Sequence, residues 1–164
     1  EKMGRLPSTA HVGYLLRAAP DWDYVAALRD AWAGSLILKG VTEPEIAARA
    51  EAEGVDAVWV SNHAGRQFDG APASLDLLRE IRPETRLPLI FDSGIEGGLD
   101  ILRALALGAD FVMLGRAWHY ALGALGAAGP AHLHDMLEKD IVSNMAQIGA
   151  TRFDDLPARL WPGS

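Results

Sequence analysis

The chain has 164 residues, 49% of them hydrophobic, enough for one sizeable core and too few for two ordinary domains. A formal net charge of -7 excludes nonspecific nucleic-acid binding, which needs a cationic surface, and no basic stripe interrupts the acidic balance. There is no cysteine, so disulfides, thiolate nucleophiles and thiolate metal sites are excluded together and redox chemistry would need a borrowed cofactor.

The chain opens at Glu1 in a polar run containing Lys2, Arg5, Pro7 and Ser8, so residues 1–20 read as a loop or the remnant of a preceding segment. No apolar stretch reaches membrane-spanning length and the start lacks the apolar core of a signal peptide. The expected location is cytoplasmic, with peripheral membrane association left open for a full-length protein. Trp22, Val25, Leu28, Arg29 and Trp32 recur at three- and four-residue intervals and predict an amphipathic helix over 22–32. Short apolar runs without polar alternation predict buried parallel strands at 35–39, 57–61, 89–92 and 111–115. Helices are predicted between them. The first covers 42–53, with a Thr42/Glu45 capping box and Gly54 as its stop; the others cover 74–81, closed by Pro83, and 98–107, closed by Gly108. After the last strand come a Gly-interrupted apolar segment, 117–125, a long helix from about 130 to 148, and a C-terminal tail, 151–164.

Alternating βα order implies a parallel sheet with helices packed outside it. A weak repeat supports this: Gly54-Val55-Asp56-Ala57-Val58 recurs as Gly108-Ala109-Asp110-Phe111-Val112, and Ser35-Leu36-Ile37 is echoed by Pro88-Leu89-Ile90. Such repetition fits a segment of a (β/α) barrel, over residues 21–150, better than the alternative of an open doubly wound sheet. Four strands cannot close an eight-stranded barrel, so the edge strands and inward side chains would lack neighbours. The expectation is that another polypeptide supplies the rest or that the chain is a truncated product.

In barrel enzymes the reacting groups come from the carboxy-terminal ends of the strands. Here those ends carry Lys39-Gly40, then Ser61 to Gln67, then Asp92-Ser93-Gly94, then Gly115-Arg116. His63 and Arg66 share one Gly-containing loop, so a single substrate could meet a proton acceptor and a bidentate carboxylate clamp, as a 2-hydroxy acid requires. Taken singly, each would read as a solvated loop residue. Lys39 could snorkel at the surface or fix a positive charge beside an electron-rich cofactor ring. Gly94 and Gly115 permit close backbone approach where late barrel loops hold phosphate, with Arg116 adding charge. His11, His119, His132 and His134 show no metal-ligand pattern, and Trp22, Trp32, Trp59 and Trp118 read as packing residues.

The runs Leu38-Lys39-Gly40, Val60-Ser61-Asn62-His63-Ala64-Gly65-Arg66-Gln67-Phe68-Asp69-Gly70, Phe91-Asp92-Ser93-Gly94, Ala104 to Asp110 and Leu114-Gly115-Arg116 closely resemble the FMN-dependent 2-hydroxy-acid dehydrogenases and oxidases. That family includes lactate and mandelate dehydrogenases and glycolate oxidase, and the likeness runs from about Trp22 to Gly149. The resemblance implies an α/β fold, the carboxy-terminal half of a TIM barrel (strands 5 to 8), with FMN as cofactor. It implies that His63 is the base, that Arg66 binds the substrate carboxylate, and that Lys39 contacts the flavin ring. Ser61 and Ser93 would lie near the flavin, Asp92 would hold the ribityl chain, and Gly94, Gly115 and Arg116 would surround the phosphate. No metal is implied. The implied partners are a small 2-hydroxy acid, an electron acceptor (oxygen, a quinone or a cytochrome), a missing N-terminal half-barrel and further copies in a homo-oligomer.

Three departures stand out. Ala64 replaces the family's usual Gly, Glu96 replaces an arginine on the phosphate, and the amino-terminal half with its substrate-contacting tyrosines and base-orienting aspartate is absent. One rival reading is a noncatalytic half-barrel that pairs through its open edges. Another, a nucleotide dehydrogenase, is disfavoured because that chemistry generally uses a catalytic cysteine.

Overall fold

The computed structural model describes residues 20–160. The opening loop expected at 1–20 therefore lies almost wholly outside the described residues, as do the last four positions of the tail. The chain divides into two compact units, Glu1–Gly34 and Ser35–Ser164. In the first, helix α1 (Trp22–Ala31) begins where Asp21 Oδ1 accepts the Tyr24 N–H at 3.0 Å, an N-cap that satisfies one orphan amide. Its last turn closes through Arg29, whose guanidinium donates to the carbonyls of Trp32 and, at 2.7 Å, Gly34.

The second unit runs β1 (Ile37–Val41), α2 (Pro44–Ala52), β2 (Ala57–Val60), α3 (Ser74–Ile81), β3 (Leu89–Phe91), α4 (Gly98–Ala106), β4 (Phe111–Val112), α5 (Arg116–Leu125) and α6 (Gly129–Gln147). The four strands form one parallel sheet in chain order, β1-β2-β3-β4. Its two faces differ sharply. The lateral rows Leu38–Val58–Leu89 and Val41–Val60–Phe91–Val112 point to the side covered by α2, α3 and α4, where Val58, Val60, Leu89 and Phe91 are wholly buried. The intervening row, Lys39–Trp59–Ile90–Phe111, points the other way, and Phe111 there is 59% exposed. Purely parallel sheets are normally covered on both faces. Among the described residues, a sheet clad by helices on one face, with Phe111 open on the other, is the wall of a partial barrel, and an open doubly wound sheet, which carries helices on both sides, does not describe it.

The sequence repeat has a physical basis. Asp56 Oδ2 accepts the Leu36 N–H at 2.7 Å, and Asp110 Oδ2 accepts the Leu89 N–H at 2.8 Å; each aspartate's own N–H returns a bond to the same leucine's carbonyl at 2.9 Å. The aspartate before a strand thus clamps the start of the strand beside it, once in each half of the repeat.

Several expectations shift, β1 among them, which runs Ile37–Val41 and not 35–39. Helix α2 starts at Pro44 with Glu43 as its cap and no side-chain capping bond, so the Thr42/Glu45 box is not made. The Pro44 ring holds Glu43 extended, and a helix cannot begin before it. Strand β4 ends at Val112, well short of 115, since it has a paired neighbour on one side alone and leaves the sheet after the Met113 N–H to Phe91 carbonyl bond at 2.8 Å. The Gly-interrupted segment is a full helix, α5, and the tail holds a 3-10 helix, Phe153–Arg159. Leu156 of that turn is buried with Leu102, Ala106 and Ala150, so it closes the core under α4.

Candidate active site

The loop after β2 is built around three consecutive residues in the left-handed region: His63 (φ 56°), Ala64 (φ 55°) and Gly65 (φ 72°). The first two are not glycine, and each costs on the order of 1–2 kcal/mol to hold there. Side chains from three elements hold them. Asn62 Oδ1 accepts the Ala64 N–H at 2.9 Å, Asn62 Nδ2 donates to the Pro72 carbonyl at 2.9 Å, and the Asn62 N–H donates to Ser74 Oγ at 3.0 Å, which pins the loop to the start of α3. The Ala64 N–H is shared with Ser93 Oγ at 3.0 Å, and the His63 N–H donates to Ser61 Oγ at 3.1 Å. The His63 ring lies against the neighbouring strand where the lack of a side chain makes room for it. Gly40, at φ 91°, interrupts the β1–β2 register, and a Cβ placed on it would sit 2.8 Å from His63 Cε1.

A second network joins the ends of β1, β2 and β3. Lys39 Nζ donates to Ser61 Oγ and to Asp92 Oδ2, both at 3.2 Å, while Ser61 Oγ donates to Asp92 Oδ1 in a short bond and Ser93 Oγ donates to the same oxygen at 2.7 Å. Burial pushes the Asp92 carboxyl up, but the hydrogen bonds from Ser61, Ser93 and Lys39 and the Lys39 charge outweigh it and hold the group below its ordinary 3.8. The Lys39 ammonium also lies 4.4 Å above the Trp59 ring centroid, a cation–π contact.

These groups open on one cavity of about 710 Å³. Lys39, His63, Arg66, Asp92, Ser93, Gly94, Gly115 and Arg116 all line it. Ser61 does not. It is wholly buried beneath, where it orients Lys39, Asp92 and the His63 amide. Trp59 and Tyr120 line the cavity too, and sequence reasoning missed both roles. Trp59 shares a lateral row with Lys39, a relation that needs the sheet register. Tyr120 stands four residues after Arg116 on α5, a spacing that puts the two on one helical face and could have marked it. His134, which shows no metal-ligand pattern in the sequence, meets Asp135 and Glu138 with ligand atoms within 4.8 Å on the exposed side of α6, an arrangement common on solvated helices.

The donor set suits a planar, electron-rich ring. A cation and an aromatic ring lie together on one side. On the other, Gly94 and Gly115 have nothing within 4 Å of where a Cβ would be, so a ligand could approach the backbone. The fold and the cavity together define a class: a (β/α)-barrel wall whose ionisable groups gather at the carboxy-terminal ends of its strands. The chain belongs to the FMN-dependent dehydrogenase family, whose model matches residues 1–162. It is 42% identical over 139 residues to an L-lactate dehydrogenase of Serratia proteamaculans, covering 84% of this chain and 37% of that protein. To an L-lactate dehydrogenase of a Caulobacter species it is 44% identical over 137 residues, covering 82% and 36%. Among solved structures, the monotopic membrane protein (S)-mandelate dehydrogenase superimposes with a TM-score of 0.85 at 39% identity, over 92% of this chain and 42% of that one. Mandelate oxidase with (S)-4-hydroxymandelic acid gives 0.82 at 33% identity, over 91% and 43%. The chain therefore spans well under half the length of these relatives. Among the described residues, no helix is long and apolar enough to cross a membrane.

Proposed function

We propose that this chain supplies the carboxy-terminal half of a flavin barrel that oxidises an L-2-hydroxy acid, lactate-like in size, to the 2-oxo acid, with electrons leaving to an external acceptor. The carrying observation is that His63 and Arg66 open on the same cavity as Lys39 and the bare backbone of Gly94 and Gly115. Arg66 clamps the substrate carboxylate with two parallel N–H donors and thereby fixes the hydroxyl-bearing carbon. His63 takes a proton from that centre onto a ring nitrogen, its ring positioned by the strained loop and by the space above Gly40. Lys39, steered by Ser61 and Asp92, sets a positive charge where an electron-rich ring would lie. FMN, when bound, supplies the two-electron acceptor for the reaction. The names of the relatives, lactate and mandelate enzymes, support the substrate class.

The test uses full-length protein with added flavin. Anaerobic L-lactate or a related L-2-hydroxy acid should bleach the visible absorbance, and a full-length protein that stays inert with every such acid would sink the proposal. Replacing His63→Asn should lower turnover by about 10²–10⁴-fold with flavin still bound. Unchanged turnover would remove His63 from the role of base.

A second reading, a noncatalytic half-barrel that pairs with itself or another chain, is favoured by the exposure of Ile37 (45%) and Phe111 (59%), both on edge strands. Native mass spectrometry separates the two. A flavin-free oligomer of this chain supports pairing, and a flavin-loaded species with additional mass supports the enzyme.

A further inference from the structure

We infer that the phosphate end of this flavin site does not select for phosphate, that Glu96 is the residue responsible, and that the site takes dephosphorylated flavin about as well as FMN. The inference rests on the flavin reading above and concerns one end of the same cavity.

Among the described residues, five charged side chains line that cavity: Lys39, Arg66, Arg116, Asp92 and Glu96. Lys39 and Asp92 form an ion pair at 3.2 Å and offset each other. Arg66 stands on the His63 loop, where the substrate carboxylate is proposed to sit. The loops after β3 and β4, where a barrel holds phosphate, are left with Arg116 and Glu96, whose charges sum to zero. A phosphate monoester brings a charge of about -1.5 to -2 near neutral pH, so among side chains it meets one cation and one carboxylate in the same space, beside the backbone amides at the start of α5. Helix α4 offers little relief. The Glu96 N–H already donates to Asp100 Oδ2 at 3.1 Å, and the Gly98 N–H donates to Asp140 Oδ2 at 2.6 Å. Asn144 Nδ2 holds Asp140 in place through Oδ1 at 2.8 Å. Two amides at the helix start that could have faced an anion are thus committed to carboxylates of the chain itself. The ring end of the site is built differently, from Lys39 over Trp59, and makes no demand on the phosphate. Affinity then comes mainly from the ring, which FMN and riboflavin share.

The full chain is titrated with FMN and, separately, with riboflavin, and quenching of flavin fluorescence gives each Kd. The two constants should lie within about threefold of each other, because one favourable and one unfavourable charge contact offset. Glu96→Gln should tighten FMN about tenfold and Glu96→Arg about a hundredfold, while riboflavin stays unchanged in both. Glu96 is exposed, so neither substitution disturbs the core, and the riboflavin constant reports any general loss of the site. Wild-type protein that prefers FMN by more than about thirtyfold, or a Glu96→Arg variant with an unchanged FMN-to-riboflavin ratio, overturns the inference and leaves the flavin reading intact. Failure of every variant to bind either flavin overturns both.

Discussion

Ala64 holds φ 55° and ψ 37°, a conformation in which its Cβ crowds the following carbonyl. Glycine has no such crowding, although it gives up more freedom on folding. Ala64→Gly should therefore stabilise the protein by roughly 0.5–1 kcal/mol, seen as a higher urea midpoint with an unchanged slope. A lower midpoint would mean that the two acceptors of its N–H, Asn62 and Ser93, already absorb the strain. At this scale much of the site could be read from the chain, because His63, Arg66, Asp92 and Gly115 sit at strand ends, where local sequence signals both the element and its exit. The cavity-lining place of Trp59 and the buried, orienting place of Ser61 resisted for one reason. What each does depends on which residue lies beside it on the next strand, and no spacing along the chain encodes that.

The paired aspartates define the element scale. Asp56 and Asp110 each tie the start of a neighbouring strand, through a side-chain bond to the amide just before β1 and to the first amide of β3, and Asp110 also pairs with Arg82 at 3.2 Å. Asp56→Ala should cost about 1 kcal/mol. Asp110→Ala also loses the Arg82 pair, and the double variant should approach the sum because the two aspartates tie different strands. Urea denaturation of the three variants checks this, and a neutral Asp56→Ala would mean that the backbone bond alone sets the register. The repeat was legible in the sequence, and its reason became visible with the register. Element types follow the sequence expectation wherever periodicity is strong, as over 74–81. The start of α2 does not, because the proline's steric constraint outranks a capping signature two residues earlier.

Among the described residues, three carboxylates are held below their ordinary range. The Arg86 N–H and then the Thr85 hydroxyl lower Glu51 from 4.5, the N–H groups of Thr151 and Arg152 lower Asp155 from 3.8, and the Ser61–Ser93–Lys39 network lowers Asp92 against its burial. A carboxyl whose folded value lies below its unfolded one stabilises the fold at all pH above the unfolded value and loses that contribution as pH falls through the folded value. Melting temperature should hold steady near neutrality, begin to fall below about pH 4.5, and fall less steeply in that acid range for Asp92→Asn. A parallel acid slope in wild type and variant would show that Asp92 contributes nothing to it. That the sheet is a barrel segment was legible from βα alternation, the internal repeat and the family resemblance; which of its faces carries the helices required the lateral rows.

Sheet order equals chain order, so every strand pairs with the one made just before it. Each new unit has its template already in place when it leaves the ribosome, the loops to be closed are short, and structure can accumulate from the first strand to the last in step with synthesis.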